Sequence, residues 1–166
     1  MNIFEFALKM ELDGEKYYRD LAEKTRYDDL KKVLIGLAED EKRHYEIIQL
    51  AKNQTFQYIE ADPSLTNIKN VFADNTELFG EKKEFIAKLK DEQFDYYQAA
   101  LVKENESVKL YQNLKESVEN PVGKAICEEL IHEEEKHVEV LDSIIEMLNH
   151  VNDWVESAEF NHQDNY

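Results

Sequence analysis

The chain has 166 residues, 34% of them charged, with only four glycines and two prolines, which suits one domain of long helices and disfavours a strand-and-turn fold. A formal net charge of −17 argues against nucleic acid and anionic membrane surfaces as partners, because both demand a basic face. The single cysteine, Cys127, excludes an internal disulfide and a four-cysteine metal site, and it reads as a small core residue.

Helical periodicity marks four segments in turn. In the first, Phe4, Ala7, Leu8, Glu11, Tyr18, Leu21 and Ala22 share one face. A turn follows at Thr25-Arg26-Tyr27-Asp28, with Asp28 as the expected cap of the second helix. That helix carries Leu30, Val33, Leu34, Leu37, Glu41, His44, Tyr45 and Ile48 on its apolar side. A connector of about forty residues then runs to roughly Glu92, with loop or cap signals at Asp62-Pro63-Ser64 and Asp74-Asn75-Thr76 and a short helix expected over Glu77–Leu89. The third stripe is Phe94, Tyr97, Leu101, Glu104, Val108, Tyr111 and Leu114. Asn120-Pro121, a cap followed by proline in the first helical position, starts the fourth. Its stripe is Ile126, Leu130, Glu134, His137, Leu141, Ile144 and Leu148.

Sliding the sequence against itself by 93 residues reveals a gapless repeat: Ala7-Leu8 matches Ala100-Leu101, Glu11 matches Glu104, Tyr18 matches Tyr111, and Glu41-x-x-His44 matches Glu134-x-x-His137. Two copies of a helical hairpin forming one bundle fit this period. The expected fold is therefore all-α, a ferritin-like four-helix bundle over residues 1–148, with hairpins at 1–53 and 93–148, a long crossover at 54–92 and a tail at 149–166. The crossover is long enough to join two parallel helices across the full bundle, and periodicity does not decide whether the tail docks.

Each lone glutamate lies 30 residues before its Glu-x-x-His pair, and the turns fall at both midpoints, so the glutamates of each hairpin should meet. Glu-x-x-His alone says little, since Glu129-x-x-His132 and Glu159-x-x-His162 also satisfy it. The first lacks an upstream glutamate and the second lies in the tail, so both read as surface residues. Glu11, Glu41, His44, Glu104, Glu134 and His137 instead occupy the apolar stripes, where four carboxylates need compensation and no stripe position offers a lysine or arginine. A glutamate and a histidine at i and i+3 project from nearly the same helix face, and four carboxylates balance two divalent ions. Two Fe ions are the leading expectation, with Mn open. Tyr18 and Tyr111, each two turns beyond a lone glutamate, are expected to pack beneath the site, to hydrogen-bond a ligand carboxylate, or to act as redox phenols.

The pattern Ala7-Leu8-Lys9-Met10-Glu11-x-x-Gly14-x-x-x-Tyr18-x-x-Leu21-Ala22-Glu23, followed by Leu37-Ala38-x-x-Glu41-x-x-His44, resembles the rubrerythrin-type di-iron domain of the ferritin-like superfamily. The resemblance covers about residues 3–148. It implies bridging Glu41 and Glu134, terminal or bridging Glu11 and Glu104, and one metal capped by each of His44 and His137. Two departures stand out. There is no paired Cys-x-x-Cys motif of a rubredoxin-like domain, and Ser107, flanked on the stripe by Leu101 and Val108, stands where the family has an extra glutamate. A symmetric six-residue set disfavours redox-linked ligand exchange of the rubrerythrin kind.

These features predict a di-iron oxidoreductase that reduces hydrogen peroxide or dioxygen with electrons from a separate donor protein. Two alternatives stand beside it: an iron-handling protein that oxidises ferrous iron for storage or transfer, and a metal-dependent binding or sensor module. A homodimer is compatible with the sequence. The lone thiol and an N-terminus, Met1-Asn2-Ile3-Phe4-Glu5, without a secretion pattern point to the cytoplasm.

Overall fold

A computed structural model of the protein describes residues 2–62 and 83–163, with side chains described up to residue 62 and over 87–150. Four helices account for most of this: α1 (Ile3–Lys24), α2 (Asp28–Lys52), α3 (Lys83–Ser117) and α4 (Pro121–Gln163). There is no strand among the described residues, and no helix among them is long and apolar enough to cross a membrane. The loop signals at Pro63-Ser64 and Asp74-Asn75-Thr76 lie outside the described residues.

Local chemistry explains the helix ends. The Asn2 side chain accepts a hydrogen bond from the Glu5 amide at 2.9 Å and caps α1. At its other end the Thr25 hydroxyl donates back to the Leu21 carbonyl at 2.7 Å, while the buried Gln93 amide donates to the Lys24 carbonyl at 3.2 Å. Asp28 does not cap α2: Tyr27 holds that position without a side-chain capping hydrogen bond, and Asp28 and Asp29 fill the first turn. There their charges meet the positive end of the helix dipole, a second use for an acid at a helix start. Asn120 does cap α4, accepting from the Val122 amide at 2.8 Å. The short helix expected over Glu77–Leu89 is, over its described part, the beginning of α3, because Leu89 is buried in the core beside Tyr27 and continues the third stripe. Beyond the expected bundle limit α4 continues to Gln163.

The helices pack as two hairpins, α1 with α2 and α3 with α4, while α1 also meets α3 and α2 meets α4. Along α1 and α3 the contacts run in opposite directions: Met10 meets Ser107, and Thr25 meets Gln93. On α2 and α4, likewise, His44 meets Glu134 and His137 meets Glu41. All neighbouring helices are thus antiparallel, and the chain between α2 and α3 joins two parallel helices on the diagonal.

The core has two apolar blocks. One, at the α1–α2 turn, contains Leu30, Leu34, Leu37, Tyr97, Leu141 and Ile144; the other, at the α3–α4 turn, contains Ile47, Ile48, Leu114, Ile126 and Leu130. Phe56, Tyr58 and Ile59, just after α2, pack on the second block. Phe56 comes so close to the start of α4 that a Cβ on Gly123 would lie 2.8 Å from its ring. Cys127 belongs to the second block, where burial pushes its thiol pKa up to about 11. Between the blocks lies a layer of buried charge.

Candidate metal centre

Each of the four helices contributes to that layer. Glu11 comes from α1, Glu41 and His44 from α2, Glu104 from α3, and Glu134 and His137 from α4; all six are buried. They gather into two overlapping groups, Glu11, Glu41, His44 and Glu134 on one side and Glu41, Glu104, Glu134 and His137 on the other. In each group one ligand atom per residue lies within 4.8 Å of the others. Glu41 and Glu134 belong to both groups, so each could be shared between two ions.

Both imidazoles turn Nδ1 inward. His44 Nδ1 lies 2.8 Å from Glu134 Oε1 and 3.6 Å from Glu11 Oε1. His137 Nδ1 lies 3.0 Å from Glu41 Oε1, 3.3 Å from Glu104 Oε1 and 3.5 Å from Glu134 Oε2. Despite these approaches, Glu11 Oε2, Glu41 Oε1, Glu104 Oε2, Glu134 Oε2 and His44 Nε2 have no hydrogen-bond partner; Glu41 Oε1 is near His137 but outside hydrogen-bond geometry. Four buried carboxylate oxygens without a hydrogen-bond partner are costly. Two cations between the groups would satisfy them, and the donor set, oxygen with imidazole nitrogen, suits Fe or Mn.

The tyrosines cross between hairpins. Tyr18 donates to Glu104 Oε1 at 2.5 Å, and Tyr111 donates to Glu11 Oε1. Because α1 and α3 are antiparallel, two turns beyond one lone glutamate is level with the other. Burial, then the neighbouring carboxylate, pushes both phenol pKa values well above the ordinary range, so both stay protonated and act as donors.

The family comparison agrees with this geometry. The rubrerythrin family model matches residues 2–98, more than half of the chain, including Glu11, Glu41 and His44. The chain belongs to the rubrerythrin family. Comparison with curated proteins and with solved structures gives no match. Beyond the matched span, the internal repeat supplies Glu104, Glu134 and His137 to the rubrerythrin-type site. Ser107 brings no carboxylate to it; its hydroxyl donates to the Lys103 carbonyl at 3.0 Å and lies 3.2 Å from Met10 Sδ.

Electrostatics divide the six residues by role. Burial alone would depress both imidazole pKa values, but Glu11 beside His44 and Glu104 beside His137 outweigh it and hold both well above the usual range. Burial and repulsion from Glu11 push Glu41 well above the carboxylate range, and burial with Glu104 pushes Glu134 to about 8. Burial opposes ionisation of Glu11 and Glu104 too, yet Glu11 is held low by Glu41 and the His44 charge, and Glu104 by the His137 charge, at about 2. Without metal these directions favour charged imidazoles beside ionised Glu11 and Glu104, and protons on the shared Glu41 and Glu134.

Around the histidines stand three residues that sequence reasoning missed. Asp40 Oδ2 accepts from His137 Nε2 at 2.9 Å, and Glu133 Oε1 lies 3.6 Å from His44 Nε2. Both acids precede a motif glutamate and are 93 residues apart, a repeat signal that was present in the sequence. The third, Arg43, stands beside the stripe, whose own positions carry no lysine or arginine. It is buried, at 8% exposure, and pairs with Asp40 and Glu133 rather than with the six. His132 is exposed, as expected, and the side chain of His162 lies outside the described residues.

Between α1 and α3 a cavity of about 260 Å³ reaches Tyr18, Glu41 and Glu104 past Met10, Gly14 and Ala100. Gly14 shapes its floor: a Cβ there would lie 3.1 Å from Glu41 Oε2, so only glycine leaves the shared carboxylate unhindered.

Proposed function

We propose that this protein is a di-iron oxidoreductase that reduces hydrogen peroxide, with dioxygen as the alternative oxidant and a separate protein as electron donor. The observation that carries this reading is the pair of overlapping buried groups sharing Glu41 and Glu134. Two ferrous ions held there would supply both electrons needed to convert one hydrogen peroxide and two protons into two waters.

The chain's own residues supply the rest. Glu11, Glu41 and Glu134 with His44 would hold one ion, and Glu104, Glu41 and Glu134 with His137 the other. Tyr18 and Tyr111 keep the lone glutamates oriented by donating to them across the hairpins. Tyr18 also lines the cavity, so its phenolic proton would stand beside a small oxidant entering there. The two apolar blocks exclude water above and below the layer.

The test is anaerobic loading with Fe(II), metal counting, and stopped-flow absorbance on mixing with peroxide or with oxygen. Two irons per chain and oxidation much faster with peroxide are expected. Uptake of many irons per chain into a hollow assembly would make the protein an iron store, and two bound metals that react with neither oxidant would make it a binding module.

A further inference from the structure

The cavity opens on the α1–α3 face; the opposite, α2–α4 face is closed by Arg43. Its Nη2 donates to Asp40 Oδ1 at 3.1 Å and to Glu133 Oε1, and its Nη1 donates to the Ile59 carbonyl at 2.8 Å and lies 3.5 Å from the Tyr58 hydroxyl. Tyr58 in turn donates to Glu133 Oε2 at 3.0 Å. One guanidinium therefore joins three things: an acid from each hairpin and the chain leaving α2.

The two acids face histidines across the bundle. Asp40 on α2 holds His137 on α4, and Glu133 on α4 faces His44 on α2. Left alone, two carboxylates this close to four others would turn toward water. Arg43 supplies the charge that keeps them in place, and its flat fork fixes the direction of their oxygens. Its repeat counterpart, Lys136, is exposed, so a single arginine serves both halves.

We infer that Arg43 is a positioning residue that orients His137 through Asp40, keeps Glu133 facing His44, and couples metal occupancy to the docking of Tyr58-Ile59. This rests on the two-metal reading above. An imidazole bound to metal through Nδ1 must donate its Nε2 proton outward, and a fixed acceptor stabilises that tautomer. The same acceptors hold Arg43, and Arg43 holds the Ile59 carbonyl. Whatever metal binding adds to the docking of this segment, docking adds to metal affinity by the same factor.

Co(II) titration followed by visible absorbance, with hydrogen exchange at residues 56–60, tests the coupling in the full chain. Wild type should take two Co(II), with slower exchange over 56–60 once loaded. In Arg43→Gln, affinity should fall about 10- to 100-fold and the metal-dependent protection should vanish. Arg43→Lys, which keeps the charge but not the fork, should recover only part of the affinity. Tyr58→Phe leaves Arg43 intact and should weaken both affinity and protection, which decides the matter if Arg43→Gln does not fold. A variant with lowered thermal stability but wild-type Co(II) affinity and spectrum would show a merely structural role and overturn the inference. So would wild-type exchange over 56–60 that ignores metal. If wild type itself failed to take two Co(II), the two-metal reading would fall, and this inference with it.

Discussion

Metal uptake should release protons, and the structure sets how many. The raised imidazoles, the lowered Glu11 and Glu104 and the raised Glu41 and Glu134 together predict a neutral metal-free layer of two imidazolium ions, two ionised carboxylates and two protonated carboxyls. With two divalent ions, four ionised carboxylates and two neutral imidazoles it is neutral again. Charge entering as metal must leave as protons: one from each histidine, one from Glu41 and one from Glu134, about four in all near pH 7. Glu134, with a pKa of about 8, contributes its proton below that value and has already lost it above. Below it, the combined binding constant should steepen toward about four powers of ten per pH unit. Loading a weakly buffered sample with Mn(II) beside a pH indicator measures the release directly, and calorimetry in two buffers of different ionisation enthalpy gives it independently. Release of two protons or fewer at pH 7 would mean that the carboxylates are already ionised without metal, and the charge balance argued here would be wrong.

Other outcomes follow from the same geometry. The metal-free protein should be most stable near pH 5 and lose stability toward pH 8: the raised histidines stabilise the fold fully below about 6.5 and lose this as pH climbs through their folded values, while Glu41 and Glu134 penalise it increasingly above about 4.5. Thermal melts from pH 5 to 8 check this, and a flat or rising midpoint would contradict it. Gly14→Ala should separate fold from site: the helix gains about 1 kcal/mol in propensity, yet the new methyl displaces Glu41, and Mn(II) affinity should drop about tenfold or more. Unchanged affinity would show that Glu41 has room to spare. Leu37→Ala, in the block at the α1–α2 turn, should cost about 2–5 kcal/mol in urea unfolding, and a loss under about 1 kcal/mol would mean that the block is not well packed.

The six candidate ligands were legible because the repeat fixes them twice. A turn at each midpoint brings Glu11 level with Glu41 and Glu104 level with Glu134 without knowledge of how the hairpins meet. The register between hairpins was not legible, and what depends on it was missed. That Tyr18 reaches Glu104 rather than Glu11, and that Asp40 serves His137, requires the antiparallel packing of α1 on α3 and of α2 on α4. Arg43 was hidden for another reason. On a helical wheel it lies at the edge of the stripe, where arginine normally meets water. Its burial depends on Tyr58 and Ile59, in a segment with no periodicity to read. Asp28 misled because an acid favours both the cap and the first turn.

The two apolar blocks give the bundle a division of labour. Each closes one end with its own hydrocarbon, so the distance between helices at the charged layer is set from outside it. With protons balancing its charge, the layer would need no ion to draw the helices together. An arriving metal therefore finds a finished socket and exchanges with protons, without having to fold the chain around itself. Such a protein would lose and regain ions as a reversible cartridge, while the frame that dictates their spacing stays the same.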